Sequence, residues 1–259
     1  MNSSTSALSP NVSVLIAADP YSFAAQTIAD AAKTAVESRG KFTISLSGGS
    51  TPKKLYELMA SPEWASKIPW NKTEFFWGDE RYVPSWDSSS NFHMTQQAML
   101  SKVSVPPERV HRVLTEKEPN EAATLYDQEI RRVVPAGADG VPVFDMMLLG
   151  LGTNGHTASL FPYQPGLHEK TKLVFAEEID EVKMTRLSMS VPLINAARQI
   201  VFLALGDDKA SVIRDVVTGP FDPERLPAQL VRPSQGELLW IVDSASAAKL
   251  PEGIAQPAQ

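Results

Sequence analysis

The sequence predicts an α/β protein built on a doubly wound, mainly parallel sheet with helices on both faces. Two observations predict it. Short runs of β-branched and apolar residues alternate with stretches whose apolar positions recur at three-and-four spacing, and that alternation implies right-handed crossovers between parallel strands. Several of the runs also lead directly into glycine-rich or charged loops, which is how strands of such a sheet hand over to the next helix. The 259 residues, 43% hydrophobic and 21% charged, suit one large domain. Twenty prolines against fourteen glycines put proline above its usual share of roughly 5%, so many boundaries are set by locked φ angles and missing amide donors.

In chain order, VSVLIA from Val12 to Ala17 reads as a buried strand ended by Asp19 and Pro20. An amphipathic helix follows from Pro20 to Gly40, with Phe23, Ala24, Thr27, Ile28, Ala31 and Ala35 on its apolar face. FTISL from Phe42 to Leu46 is the next strand. It leads through SGGST into a helix for which Ser50 or Thr51 can cap and Pro52 can occupy the first position. FFW from Phe75 to Trp77 is a short strand, followed by a polar loop containing Pro84 and three serines and by the helix-like NFHMTQQAML. VHRVL and EAATLYDQEIRRVV continue the alternation. VFDMMLLG from Val143 to Gly150 is the most apolar strand. RLSMS, IVFLAL and LLWIV are read as later strands, with ASVIRDVV a helix between the last two. No repeat or linker divides the chain, which is read as one domain over residues 12–249 with a loose tail over 1–11 and a second tail over 250–259.

Composition narrows the function classes. With 24 basic and 30 acidic residues, the net charge is 24 − 30 = −6, the reverse of what a non-specific nucleic-acid binder carries. The absence of cysteine removes disulfides, thiolate metal sites and a cysteine nucleophile. MNSSTSALSPN has neither the basic start nor the apolar core of a secretory signal, and runs such as IVFLAL are far shorter than the roughly 20 residues of a membrane span. A cytoplasmic protein without membrane or nucleic-acid partners is expected; a monomer is compatible with the sequence.

Ligands bind such sheets outside the carboxyl ends of the strands, where three loops stand out. SLSGGSTP offers successive backbone amides and a helix start, both suited to an anion, against the alternative of an ordinary capped turn. It lacks the lysine-hydroxyl ending of a nucleotide P-loop. GDERYVP places Asp79, Glu80 and Arg81 behind an apolar strand, where the arginine fork suits a phosphate or an oxyanion; alone, it could be a solvated turn. GLGTNG matches the dinucleotide fingerprint by letter at Gly150, Gly152 and Gly155, with Glu177 about twenty residues on. Pro162 follows too soon for the long helix that fingerprint requires. The informative residue there is His156, which titrates near neutral pH on a turn that reaches the crevice. His93, His111 and His168 make no metal-ligand spacing with it, and Ser159 has no nucleophile elbow around it, so no metal site and no serine nucleophile are expected.

Taken in order, SLSGGSTP, GDERYVP, LLGLGTNGHTASLFP, VPLINAARQIVFLALGDDKA and ELLWIVD resemble the 6-phosphogluconolactonase family over about Val12 to Asp243. GHTASLFP carries the most specific part of the likeness. The resemblance implies a Rossmann-like fold, a small sugar-phosphate lactone as substrate and no cofactor. It makes His156 the general base, with Arg81 and the ring-holding Asn154 beside it. It puts the substrate phosphate near Ser47, Gly48, Gly49 and Ser50, with Asp79, Arg81, Lys209 and Arg186 completing the site. Family members commonly have an aspartate where this chain has Asn154, a change that lowers the charge beside the imidazole; Asp79 and Glu80 are candidates to replace it. The related glucosamine-6-phosphate deaminases have a glutamate where this chain has Phe161. An amino-sugar phosphate deaminase or isomerase, and a non-catalytic sugar-phosphate sensor, are the alternative readings.

Overall fold

A period-two alternation of apolar side chains organises the computed structural model, whose described residues are 8–258. Seven strands form one wholly parallel sheet. They are β1 (Val12–Ile16), β2 (Phe42–Leu46), β3 (Thr73–Trp77), β5 (Met146–Leu149), β8 (Gln199–Ala204), β9 (Glu237–Val242) and β10 (Gln256–Pro257), in the spatial order β10-β1-β9-β8-β5-β2-β3. Successive residues of a strand point to opposite faces, so each strand feeds two cores. Met146, Leu148, Val201 and Leu203 face one side with α1 (Pro20–Arg39), α2 (Ser50–Met59) and α4 (Asn91–Ala98). Met147, Leu149, Ile200 and Phe202 face the other with α5 (Pro119–Val133), α6 (Val191–Asn195) and α7 (Ala210–Thr218). The doubly wound α/β architecture expected from the sequence is therefore present.

The local signals hold where they were strongest. Asp19 caps α1 by accepting from the Ser22 amide at 3.1 Å, Pro20 opens the helix, and Gly40 ends it at φ 77°. The start of α2 differs from expectation. The helix begins at Ser50 behind Gly49, whose φ of 108° reorients the chain, and no side chain caps it; Pro52 sits in the first turn rather than at its first position.

Other differences concern strands. VHRVL forms no strand: only Val110 bridges Phe75, and Arg112 turns away to pair with Glu116. RLSMS belongs to β7 (Met184–Met189), which is not in the parallel sheet. It is the centre of a separate antiparallel sheet ordered β4-β7-β6, with β4 (Asp79–Arg81) and β6 (Val174–Ile179) at its edges. The loop expected at GDER is a strand, and Val174–Ile179 is a strand that the sequence does not announce, since neither carries strict apolar alternation. The Met189 amide donates to Gly78 O at 2.8 Å and ties this small sheet to the carboxyl end of β3.

The short α3 (Pro62–Ala65) completes the α-helices among the described residues. Of the N-terminal stretch over 1–11, the first seven residues lie outside the described residues; Asn11 donates its side-chain amide to Pro233 O and Gly236 O. Within the C-terminal stretch, β10 pairs with β1 and Ile254 is buried. No described helix is long and apolar enough to cross a membrane.

Candidate active site

The parallel sheet reverses its winding between β2 and β5. From β2 the chain steps outward to β3, whereas from β5 it steps the other way to β8, so the loops leaving these neighbours diverge and open a crevice at their carboxyl ends. A cavity of about 400 Å³ lies there. Every residue that the resemblance assigns to catalysis or to the phosphate lines it: Ser47, Gly48, Gly49 and Ser50 after β2, Asp79 and Arg81 in β4, Asn154 and His156 after β5, Arg186 in β7, and Lys209 after β8.

The loop after β2 is held open toward the cavity. Gly48 lies so close to α4 that a Cβ on it would stand 1.9 Å from Asn91 Oδ1. Asn91 Nδ2 in turn donates to Asp79 O at 2.9 Å, which locks the loop to β4. The Ser47 amide is not part of an anion nest, because it donates to the Tyr56 hydroxyl at 3.0 Å while that hydroxyl donates to Ser47 O at 2.9 Å. Burial pushes the Tyr56 hydroxyl well above its ordinary value, so it remains protonated and keeps both bonds. The amides of Gly48, Gly49, Ser50 and Thr51 donate to nothing among the described residues, and they present the dipole end of the helix to the cavity.

In β4 the three charged side chains separate. Asp79 Oδ2 accepts from Ser159 Oγ at 2.7 Å and joins β4 to the histidine loop. Glu80 is buried and turns away, accepting from the amides of Arg81, Asn91 and Phe92 at 2.7–2.8 Å and from Ser90 Oγ at 3.1 Å. It caps α4 and does not face the imidazole. Burial pushes its carboxyl above the ordinary value despite those donors. Arg81 donates through Nη1 to Ser89 O, but its Nε is buried without a partner, as is that of Arg186.

The loop after β5 forms no helix, and its glycines seat the histidine instead. A Cβ on Gly152 would come within 2.0 Å of His156 Nδ1, and one on Gly155, at φ 85°, within 2.6 Å of Leu226. His156 lies between a stacked Phe161 ring, 4.2 Å away with an interplanar angle of 11°, and Asn154, whose Oδ1 is 2.6 Å from Nδ1. The amide oxygen can only accept, so Nδ1 carries the proton and Nε2 is the basic nitrogen. Nε2 bonds to nothing among the described residues. Burial holds the imidazole below its ordinary value; Asp79 and Glu181 pull it upward, and Arg186 and Lys209 reinforce the lowering. Lys209 pairs with Asp208 at 3.1 Å. The remaining histidines stand elsewhere: His111 between Glu74 and Glu129, His168 beside Glu224, His93 on α4.

Sequence reasoning missed three residues that shape this site. Glu181 accepts both Asn154 Nδ2 bonds, at 3.0 and 3.1 Å, from 27 residues away. Asp243 accepts from the Gly206 amide at 3.1 Å and steadies the loop carrying Lys209. Asn91 bridges two loops. A serine before NFH was a visible helix cap, but nothing local marks Glu181 or Asp243.

Residues 17–240 match the family described as glucosamine-6-phosphate isomerases/6-phosphogluconolactonase. The chain is 40% identical over 217 residues to a 6-phosphogluconolactonase of Synechocystis sp., covering 83% of this chain and 88% of that one. The crystal structure of the devB protein superposes with a TM-score of 0.84 at 35% identity, covering 93% and 100% of the two chains. That of 6-phosphogluconolactonase from Thermotoga maritima gives 0.77 at 28% identity, covering 90% and 99%.

Proposed function

The chain belongs to the glucosamine-6-phosphate isomerase/6-phosphogluconolactonase family, and from that premise we propose that it is a hydrolase of a sugar-phosphate lactone. Within that class, the proposed reaction is the opening of 6-phospho-D-glucono-1,5-lactone to 6-phosphogluconate in the oxidative pentose phosphate pathway. The observation that carries the reading is that a basic His156 Nε2 shares its cavity with the Arg81 and Arg186 guanidiniums, each with an Nε that has no partner, and with the free amides of Gly48 and Gly49.

The proposed chemistry needs only water as co-reactant. His156 Nε2 takes a proton from a water molecule as its oxygen attacks the lactone carbonyl carbon, giving a tetrahedral oxyanion and an imidazolium. When the oxyanion collapses, the bond from that carbon to the ring oxygen breaks. The imidazolium returns its proton to the departing ring oxygen, which becomes the hydroxyl of the open chain, and the new carboxylic acid ionises into solvent. Asn154 Oδ1 holds the ring in the required tautomer throughout. Arg81, Arg186 and Lys209, with the amides of Gly48, Gly49 and Ser50, are assigned to the phosphate and the developing oxyanion. Asp79 is assigned to holding the histidine loop through Ser159.

The amino-sugar deaminase reading lacks support at the site, because the face of His156 is covered by Phe161 rather than by a second acid. The test is the decay of freshly generated lactone with and without protein, since the lactone also opens spontaneously. Excess decay that disappears in His156→Ala is the expected result. No excess decay, with the phosphosugar still bound, would replace the hydrolase with a sensor.

A further inference from the structure

The carboxylate that hydrogen-bonds to Asn154, and through it joins the chain to the imidazole, comes from the tip of a hairpin. β6 and β7 are joined by a tight turn over Asp180–Val182, closed by Lys183, whose φ is 48° and whose amide donates to Asp180 O at 3.2 Å. A non-glycine residue in that left-handed region shows a turn held in one conformation by its surroundings. The turn brings Glu181 and Val182 to the cavity wall. Glu181 there receives Asn154 Nδ2 on both carboxylate oxygens, at 3.0 and 3.1 Å, while Asn154 Oδ1 accepts from the His156 amide at 3.1 Å and faces Nδ1 at 2.6 Å.

We infer that Glu181 is a positioning residue for His156, acting through Asn154. This inference rests on the reading of His156 as the general base. An asparagine side chain can present either end to its neighbour, and the two ends have opposite consequences. With Oδ1 on the ring, Nδ1 keeps its proton and Nε2 is free to accept one. With Nδ2 on the ring, Nδ1 becomes the acceptor and Nε2 is spent as a donor. A carboxylate can only accept, so Glu181 holds the amide in the productive orientation. The charged acceptor also polarises the amide, deepening the negative potential at Oδ1 when the imidazolium forms. Asn154 supplies contact and Glu181 supplies charge. Glu181 is itself exposed, so solvent screens that charge and the effect on rate is a modest part of the whole. The other charged groups facing His156 are Asp79 from β4, Arg186 from β7 and Lys209 from the loop after β8.

The experiment measures kcat and KM for the lactone in Glu181→Gln, Glu181→Asp, Asn154→Asp and the Asn154→Asp/Glu181→Gln pair. Alongside it, the His156 imidazole titration is followed by NMR in ligand-free protein. Glu181→Gln should lower kcat about 10-fold, well short of the ~10²-fold expected for loss of the base. Its KM should not rise, since a negative group has left a cavity assigned to an anion, and the imidazole midpoint should move to lower pH. Glu181→Asp should recover part of both. In Asn154→Asp the sign reverses: two carboxylates face each other, so adding Glu181→Gln should raise kcat. The inference is overturned by a Glu181→Gln protein whose kcat and imidazole midpoint both match the parent. It is equally overturned if Glu181→Gln lowers kcat by the same factor in both backgrounds, the behaviour of a residue that only shapes the turn. A parent protein without lactonase activity whose imidazole midpoint still moves in Glu181→Gln would remove the hydrolase reading and leave the Glu181 to His156 coupling in place.

Discussion

Arg81 and Arg186 stand directly opposite each other across the β4–β7 pairing, and each keeps a buried Nε without a partner. Burial, and then the neighbouring Arg81, hold Arg186 below its ordinary value. Like charges directly opposite in cross-strand register are destabilising, and an anion bound between the two guanidiniums would relieve that repulsion. Inorganic phosphate or 6-phosphogluconate should therefore raise Tm, by an increment worth about 2.7 kcal/mol at a hundredfold excess over Kd. Arg186→Gln should match or exceed the parent's Tm without anion and lose most of the phosphate-induced rise. Thermal denaturation across a phosphate series checks both; an equal rise in parent and variant would detach Arg186 from the anion site.

The lowered imidazole value fixes the sign of a pH dependence. An unperturbed imidazole titrates near 6.5, and the burial of His156 means that the folded protein takes up that proton only at lower pH. Hydrolysis should hold its rate through pH 6.5 and decline further into acid. For stability, the unfolded chain binds a proton on this residue before the folded chain does. Stability contributed here is thus present above the unfolded value and is lost as pH falls toward the folded one. Urea denaturation of parent and His156→Gln at pH 7.5 and 5.5 should show a smaller acid loss in the variant. Parallel losses would mean the imidazole is not desolvated.

Gly152 offers a test of histidine placement that leaves the histidine in the sequence. A methyl at this position would occupy space now filled by the ring, 2.0 Å from Nδ1. Gly152→Ala should cut kcat by about 10²-fold, comparable to loss of the base, with the far-ultraviolet circular dichroism of the parent. Retained activity would show that the ring can function from a displaced position.

Glu80 should behave as a structural residue rather than as a partner of the imidazole. Its carboxylate satisfies the Arg81 amide in β4 and, at the start of α4, the Asn91 and Phe92 amides and Ser90 Oγ. Glu80→Ala should cost about 2 kcal/mol or more, the loss expected from a helix cap together with buried donors left unpaired. Chemical denaturation measures it; a change within 0.5 kcal/mol, about the scatter of ordinary surface substitutions, would mean that water takes over those donors.

Much of the fold was legible because its causes are local. Buried parallel strands such as FTISL, MMLL and LLWIV read as apolar runs, and Asp19, Pro20 and Gly40 act within a few residues of themselves. The cavity was legible for a different reason: the loops after parallel strands all leave from one end of the sheet, so naming those loops named most of the wall. The β4-β7-β6 sheet was not, since its strands are short or polar and exist only where partners from distant segments meet them.

The chain's own order of residues thus dictated most of the parallel strands and helices and placed the glycine-rich, charged and histidine-bearing loops behind the strands, through backbone preferences and periodicity. Folding in three dimensions settled which donors were left free. Tyr56 occupies the Ser47 amide, Glu80 is drawn into α4, and Glu181 reaches Asn154 across 27 residues. The physical reason is that hydrogen-bond partners compete for buried groups, and the winner depends on which segments packing brings within about 3 Å.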